Sequence, residues 1–121
     1  MMPKLIFNCT HGRDDAERAT LPFIAANVAA VSGQVAYVLL TVEGVWLATN
    51  GYADDIHFEG MPELRPLIDE FVDSGGAVWA CGACTKPRGI TEDQLRKGAQ
   101  IVGAAMVVEE IAGGAQHISF A

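Results

Sequence analysis

Basic residues are scarce in this chain. Eight lysines and arginines stand against fifteen acids, for a formal net charge of −7, so no broad basic face can be assembled and nucleic-acid backbones are poor partners. Cysteine is scarcer still, with three residues. An odd number cannot complete the disulfide framework of a small secreted domain, and at least one thiol is left for chemistry or for burial. A glycine-rich phosphate loop is absent: Gly75-Gly76 precedes a strand pattern instead of following one, and no Gly-Lys-Ser/Thr occurs. No nucleotide cofactor is therefore expected. The longest uncharged stretch, Ala19 to Val42, has the length of a membrane span of ~20 residues. Pro22, Asn27 and Ser32-Gly33-Gln34 divide it into a helical half and a strand-like half, each too short to cross a bilayer. Leu5-Ile6-Phe7 is too brief for a signal-peptide apolar region, so a cytosolic location is expected.

What is present suits one globular unit. Half of the 121 residues are apolar and 19% are charged, a balance that builds a core and argues against disorder. The length fits a single domain over residues 1–121. Lys4 to Cys9 reads as a buried strand, and Asp14 with Glu17 as a helix start. Leu21, Ile24, Ala25 and Val28 then recur at helical spacing up to a stop at Gly33. Val35 to Leu40 is a second buried strand. Glu43 to Thr49 fits a short helix, and Asn50 to Met61 reads as a surface loop. Leu64, Leu67, Ile68, Phe71 and Val72 mark an amphipathic helix. Ala77 to Ala80 is a third strand, Thr91 with Gln94 predicts a capped helix ending at Gly98, and Ala99 to Val102 is a fourth strand. Ala104, Val107, Val108 and Ile111 form a last helical stripe before a closing strand over Gln116 to Phe120. Strand and helix alternate about five times, which predicts a mainly parallel five-stranded sheet in a three-layer α/β/α domain.

In such sheets the loops at the carboxyl ends of the strands form the ligand crevice. Two strands end in cysteine: one runs into Asn8-Cys9-Thr10-His11-Gly12, the other into Cys81-Gly82-Ala83-Cys84-Thr85-Lys86-Pro87-Arg88-Gly89. A thiol reacts as the thiolate, which nearby cations favour. Residues 81 to 97 supply Lys86, Arg88, Arg96 and Lys97 against Glu92 and Asp93 in an otherwise acidic chain. The bland alternative is that both thiols are buried fillers.

The stretch Ala80-Cys81-Gly82-Ala83-Cys84-Thr85-Lys86-Pro87-Arg88-Gly89-Ile90-Thr91 resembles the DsrE/DsrF-like family, in which a strand-end cysteine is followed after a short turn by an Arg-Gly pair. The resemblance implies a domain that assembles into homotrimers or homohexamers, with members relaying sulfur between donor and acceptor proteins as a persulfide. It places the sulfur-carrying position at Cys81. Cys84 is a departure, since a pair of thiols can close into a disulfide.

Three readings follow. In the first, a sulfur carrier or sulfurtransferase, Cys81 accepts sulfane sulfur, Lys86 and Arg88 stabilise its thiolate, and Cys84 releases the sulfur or protects the site. In the second, Cys81 and Cys84 form a dithiol redox pair. In the third, Cys9, His11, Cys81 and Cys84 form a tetrahedral metal site; a noncatalytic subunit is the residual alternative. Cys9 and His11 are otherwise accessory, His11 serving in proton transfer only if it reaches the Cys81 sulfur. His57 and His117 are read as structural. The acidic run from Asp54 to Asp73 is a solvated face or a steering surface. Trp46 and Trp79 are core or interface residues, and Trp46 or the last helix is expected to mediate self-association.

Overall fold

The computed structural model describes residues 3–120; residues 1, 2 and 121 of the expected domain lie outside the described residues. The first apolar run forms β1 (Lys4–Cys9), followed by α1 (Ala16–Val31), β2 (Val35–Leu40), α2 (Leu64–Asp73), β3 (Ala77–Cys81), the one-turn helix α3 (Gly82–Thr85), β4 (Ala99–Val102), α4 (Ala104–Ala112) and β5 (Gln116–Ser119). Every strand pairs in parallel, in the order β4-β3-β2-β1-β5. This is the five-stranded α/β/α plan that the alternating signals imply.

Strand parity decides which side chains meet which helices. Phe7, Cys9, Ala36, Val38, Leu40, Val78 and Ala80 pack in the core shared with α1 and α2. There Phe23 and Phe71 meet edge to face at 6.0 Å. Both rings are fully buried, and each contributes about 1.5–3 kcal/mol of transfer free energy. Ile6, Leu39, Trp79 and Val102 point the other way, where Val107 of α4 packs on them. Trp79 stacks on Tyr37 with ring centroids 4.0 Å apart. α4 covers this face through Val107 and has no fully buried side chain; Met106, Val108 and Ile111 stay exposed.

Helix α1 begins where Asp15 accepts the amide of Arg18 at 3.0 Å, an N-cap one residue after the expected start. The segment expected as a short helix from Glu43 is a 3-10 turn over Val42–Ala48, and the loop that follows carries a second over Tyr52–Asp55. The helix expected between Thr91 and Gly98 is reduced to one 3-10 turn, Glu92–Gln94. Tertiary pairing outcompetes it. Arg96 N–H donates to Ala48 O at 2.8 Å and Asn50 N–H to Gln94 O at 2.9 Å, while Thr49 and Leu95 form an antiparallel bridge. Those backbone groups are the ones a helix would have used internally. Among the described residues no helix is long and apolar enough to cross a membrane.

Candidate functional site

β3 delivers the chain into Cys81, which caps the first turn of α3 with extended backbone. The Thr85 hydroxyl, buried, donates to Gly82 O at 3.2 Å. A 3-10 turn over Lys86–Arg88 then ends on Gly89 at φ +70°, in the left-handed region that a side chain would strain. The amides of Gly89 and Ile90 donate back to Lys86 O and Thr85 O, both at 3.1 Å. The Arg-Gly pair therefore has a physical account, since glycine lets the turn close and Arg88 ties it down. Arg88 Nη1 donates to Cys84 O at 3.0 Å and Nε to Glu43 Oε1 at 3.2 Å.

Cys81 and Cys84 are both free and half-buried, but their surroundings differ. Cys81 shares the parity of Trp79 and lines an apolar groove of about 190 Å³ with Leu39, Thr41, Val102 and Val107. Cys84 Sγ accepts a hydrogen bond from the amide of Val42 at 3.2 Å. Val42 sits at φ +53°, alone among the described non-glycine residues in a left-handed conformation. For a β-branched residue this costs about 1–2 kcal/mol, so the surroundings must enforce it. They do so through Thr41, whose amide donates to Cys9 O at 3.0 Å, and through Gly44, whose amide reaches Thr10 O at 3.2 Å. Lys86 is exposed beside the turn. Arg88 is directed at Glu43 and at the Cys84 carbonyl, so the hydrogen bond at the Cys84 sulfur comes from backbone rather than from a cation.

The other candidates are not drawn in. β2 lies between β1 and β3, which sets the ends of the two cysteine-bearing strands roughly 10 Å apart. Cys9 lies beneath α1, 1% exposed, with Sγ 3.7 Å from Ala19 O and 3.5 Å from His11 O. Burial pushes its thiol up to about 12, so it stays protonated and inert at neutral pH. His11 Nδ1 lies 2.7 Å from Asp14 Oδ2. Burial works to raise the Asp14 pKa, but the hydrogen bonds from His11 and the Gly12 amide outweigh it and hold the carboxyl below its ordinary range. Among the described residues no group of three or more His, Cys, Asp or Glu side chains is placed to hold a metal ion. The four-residue metal site of Cys9, His11, Cys81 and Cys84 is thus corrected: Cys9 packs under α1, whereas Cys81 lies on the opposite face toward α4.

His57 Nε2 lies 2.8 Å from Met61 O, and His117 is exposed on the edge strand β5. Trp46 is half-buried and stacks on Tyr52 at 5.9 Å. At the sheet's topological switch, between β1 and β5, Asn8, Thr10, His11, Arg18 and Ser119 enclose only about 10 Å³, room for about one water and no larger ligand. Sequence reasoning missed Val42 and Glu43. Glu43 carried no mark beyond its place in a weak helix pattern, and a left-handed valine has no sequence signature because the conformation is imposed from outside.

Known proteins share this architecture. The YchN protein of E. coli superposes with a TM-score of 0.79 at 16% identity, covering 98% of this chain and 100% of its own. A protein of unknown function from Methanobacterium thermoautotrophicum gives 0.68 at 19% identity, covering 97% of this chain and 98% of its own. At such identities the likeness establishes the fold. An uncharacterized protein of Methanocaldococcus jannaschii is 30% identical over 95 residues, 78% of this chain but 34% of the relative, so the chain spans about a third of that protein. An uncharacterized protein of Methanopyrus kandleri is 31% identical over 85 residues, 70% of this chain and 67% of the relative. Residues 3–120 match the DsrE/DsrF-like family from β1 to β5, and the chain belongs to that family.

Proposed function

We propose that this chain is a single-domain cytoplasmic sulfur carrier of the sulfurtransferase-like kind, holding sulfane sulfur as a persulfide on Cys81 and passing it between a donor and an acceptor protein. The observation that carries this reading is the pair of free, half-buried thiols on the turn leaving β3, a thiol chemistry site within a family whose relay members use a cysteine at the position of Cys81. The Cys81 thiolate attacks the outer sulfur of a donor persulfide. The new bond joins Cys81 Sγ to that sulfur, the donor's S–S bond breaks, and the donor leaves as a thiolate. Arg88 holds the turn in shape through Glu43 and the Cys84 carbonyl, while Lys86 supplies an exposed positive charge near it.

Assembly into a homotrimer or homohexamer belongs to the same proposal. Its support is the exposed apolar face of α4, with Val108 64% and Ile111 43% accessible in the single chain. Incubation with inorganic polysulfide followed by mass spectrometry should place an adduct of about 32 Da, one sulfur atom, on the peptide carrying Cys81. Reduced, alkylatable thiols that acquire no such adduct would remove the reading. The half-exposure of both thiols across one turn also favours a dithiol redox role. That second reading is favoured instead if Cys81 and Cys84 equilibrate as a disulfide with glutathione buffers while no persulfide forms.

A further inference from the structure

Two polar clefts meet at Thr49 and Asn50, and they differ in how their charges are matched. In the larger, of about 570 Å³, Arg65 pairs with Asp54 at 3.5 Å and with Asp69 at 2.9 Å, and Arg96 holds the second oxygen of Asp69. Its charges are compensated from within. The smaller, of about 410 Å³, is lined by Trp46, Thr49, Asn50, Asp93 and Gln94. Asp93 accepts the Thr91 hydroxyl through Oδ1; among the described residues its carboxylate forms no ion pair and Oδ2 has no hydrogen-bond partner. Asn50 Nδ2 donates to Gln94 O at 3.4 Å and to Leu95 O at 3.0 Å. Both partners are carbonyls, which fixes the orientation of the amide and leaves Oδ1 as an open acceptor.

Beside this cleft the molecule shows how a guanidinium is received. Tyr52, whose ring stacks on Trp46 with centroids 5.9 Å apart, carries Arg13 over its face at 4.3 Å. The same guanidinium donates to Tyr52 O at 3.0 Å and pairs with Asp55 at 3.3 Å. A ring, an amide oxygen and a carboxylate thus serve one planar cation. The smaller cleft offers the same three kinds of group in half-buried Trp46, Asn50 and Asp93, and an indole is the best aromatic partner for a cation. We propose that it is a docking site for an arginine side chain of a partner protein, with the guanidinium resting on Trp46 and donating to Asp93 Oδ2 and Asn50 Oδ1. Charge complementarity selects such a partner: the chain carries −7, and Asp54 to Asp73 sets seven acids against Arg65 alone, a field that draws in a basic surface. Both walls of the cleft continue the frame of the cysteine turn. Trp46 belongs to the Val42–Ala48 turn whose Glu43 binds Arg88, and Asp93 and Gln94 follow Gly89 by four and five residues. A partner anchored here is brought beside Cys81 and Cys84, whether those thiols carry sulfur or cycle as a disulfide.

The test uses the full-length chain labelled with fluorotryptophan, whose two fluorine signals report Trp46 and Trp79 separately. It is titrated with the capped peptide acetyl-Gly-Arg-Gly-amide and, in parallel, with its lysine counterpart. The Trp46 signal should shift and saturate with the arginine peptide, while that of Trp79, 2% exposed and packed beneath α4, stays still. The lysine peptide should bind about threefold more weakly, because an ammonium lacks the planar fork that stacks on a ring and bridges two acceptors. Asp93→Asn changes an exposed position and keeps its shape; it should weaken the arginine peptide about threefold, the loss of one exposed ion pair. Trp46→Leu should abolish the saturable response of calorimetry to the same peptide, with an unmoved Trp79 signal showing that the variant is folded. A Trp46 signal that does not respond overturns the proposal, as does equal affinity for the two peptides or an Asp93→Asn variant that binds like the parent. A Trp46 signal that responds only on dilution assigns the cleft to a second copy of this chain and overturns it as well.

Discussion

Replacing Gly44 with alanine should destabilise the protein through a backbone contact that no side-chain rearrangement can relieve. A methyl group built there overlaps the carbonyl oxygen of Cys9 and lies 3.1 Å from its carbonyl carbon and 3.3 Å from the His11 amide. The Val42–Ala48 turn must therefore lift off the end of β1. Two hydrogen bonds hold it down, Thr41 N–H to Cys9 O at 3.0 Å and Gly44 N–H to Thr10 O at 3.2 Å. Losing both costs about 2 kcal/mol, within the roughly 1–3 kcal/mol typical of overpacking. Gly44 is not in the left-handed region, so alanine recovers about 0.5 kcal/mol or more by restricting the unfolded chain. The net expectation is a loss of about 1–2 kcal/mol, or roughly 4–8 °C in Tm for a domain of this size. Urea titration followed by tryptophan fluorescence measures it. Gly82→Ala is the control, because its added methyl would meet Val102 O at an ordinary 3.4 Å, and its midpoint should move by less than about 0.5 kcal/mol. If Gly44→Ala unfolds at the same urea concentration as the parent, the turn is not pressed against β1 and the account of how Val42 is held fails.

Three further outcomes are expected. Val42→Gly should raise stability by about 0.5–1 kcal/mol, because relief of the left-handed strain exceeds the added entropy of the unfolded chain; a clear drop in the urea midpoint would contradict it. The raised pKa of Cys9 gives a definite sign: its thiol ionises near 9 when unfolded and at about 12 when folded. Its contribution is intact below about pH 9 and declines by up to roughly 1.4 kcal/mol per pH unit as pH climbs from there toward 12. Urea midpoints at pH 7 and 10 should accordingly diverge less in Cys9→Ala than in the parent. Ile111→Glu, at an apolar position 43% exposed in the single chain, should leave the chain folded yet dissociate the proposed homo-oligomer in a sedimentation run, and a monomeric parent at micromolar concentration would rule that oligomer out.

Much of the architecture was legible in the residues. The runs Leu5-Ile6-Phe7 and Val35 to Leu40 and the Leu64 to Val72 periodicity each mark an element by themselves, because burial on both faces or on one stripe leaves a pattern in composition. The short helix expected from Glu43 proved a 3-10 turn, and in the 91–98 segment Gln94 does cap Thr91, accepting its amide at 2.9 Å, but pairing with Ala48 and Asn50 decides the conformation. The cysteine turn was legible for a different reason. Cys81, Cys84, Arg88 and Gly89 lie within nine consecutive residues, so the turn shows in the sequence as one local segment.

The sequence by itself thus determined the parallel α/β domain and the thiol-bearing turn, since both depend on local pattern and on residues near one another in the chain. Only the tertiary structure decided what surrounds each sulfur. It buried Cys9 under α1, kept His11 a strand away from Cys81, and brought Val42 to Cys84 and Glu43 to Arg88 across some forty positions of sequence. Those juxtapositions follow from strand order and from a backbone angle imposed by Thr41 and Gly44, and neither leaves a trace in the identity of the residue that adopts it.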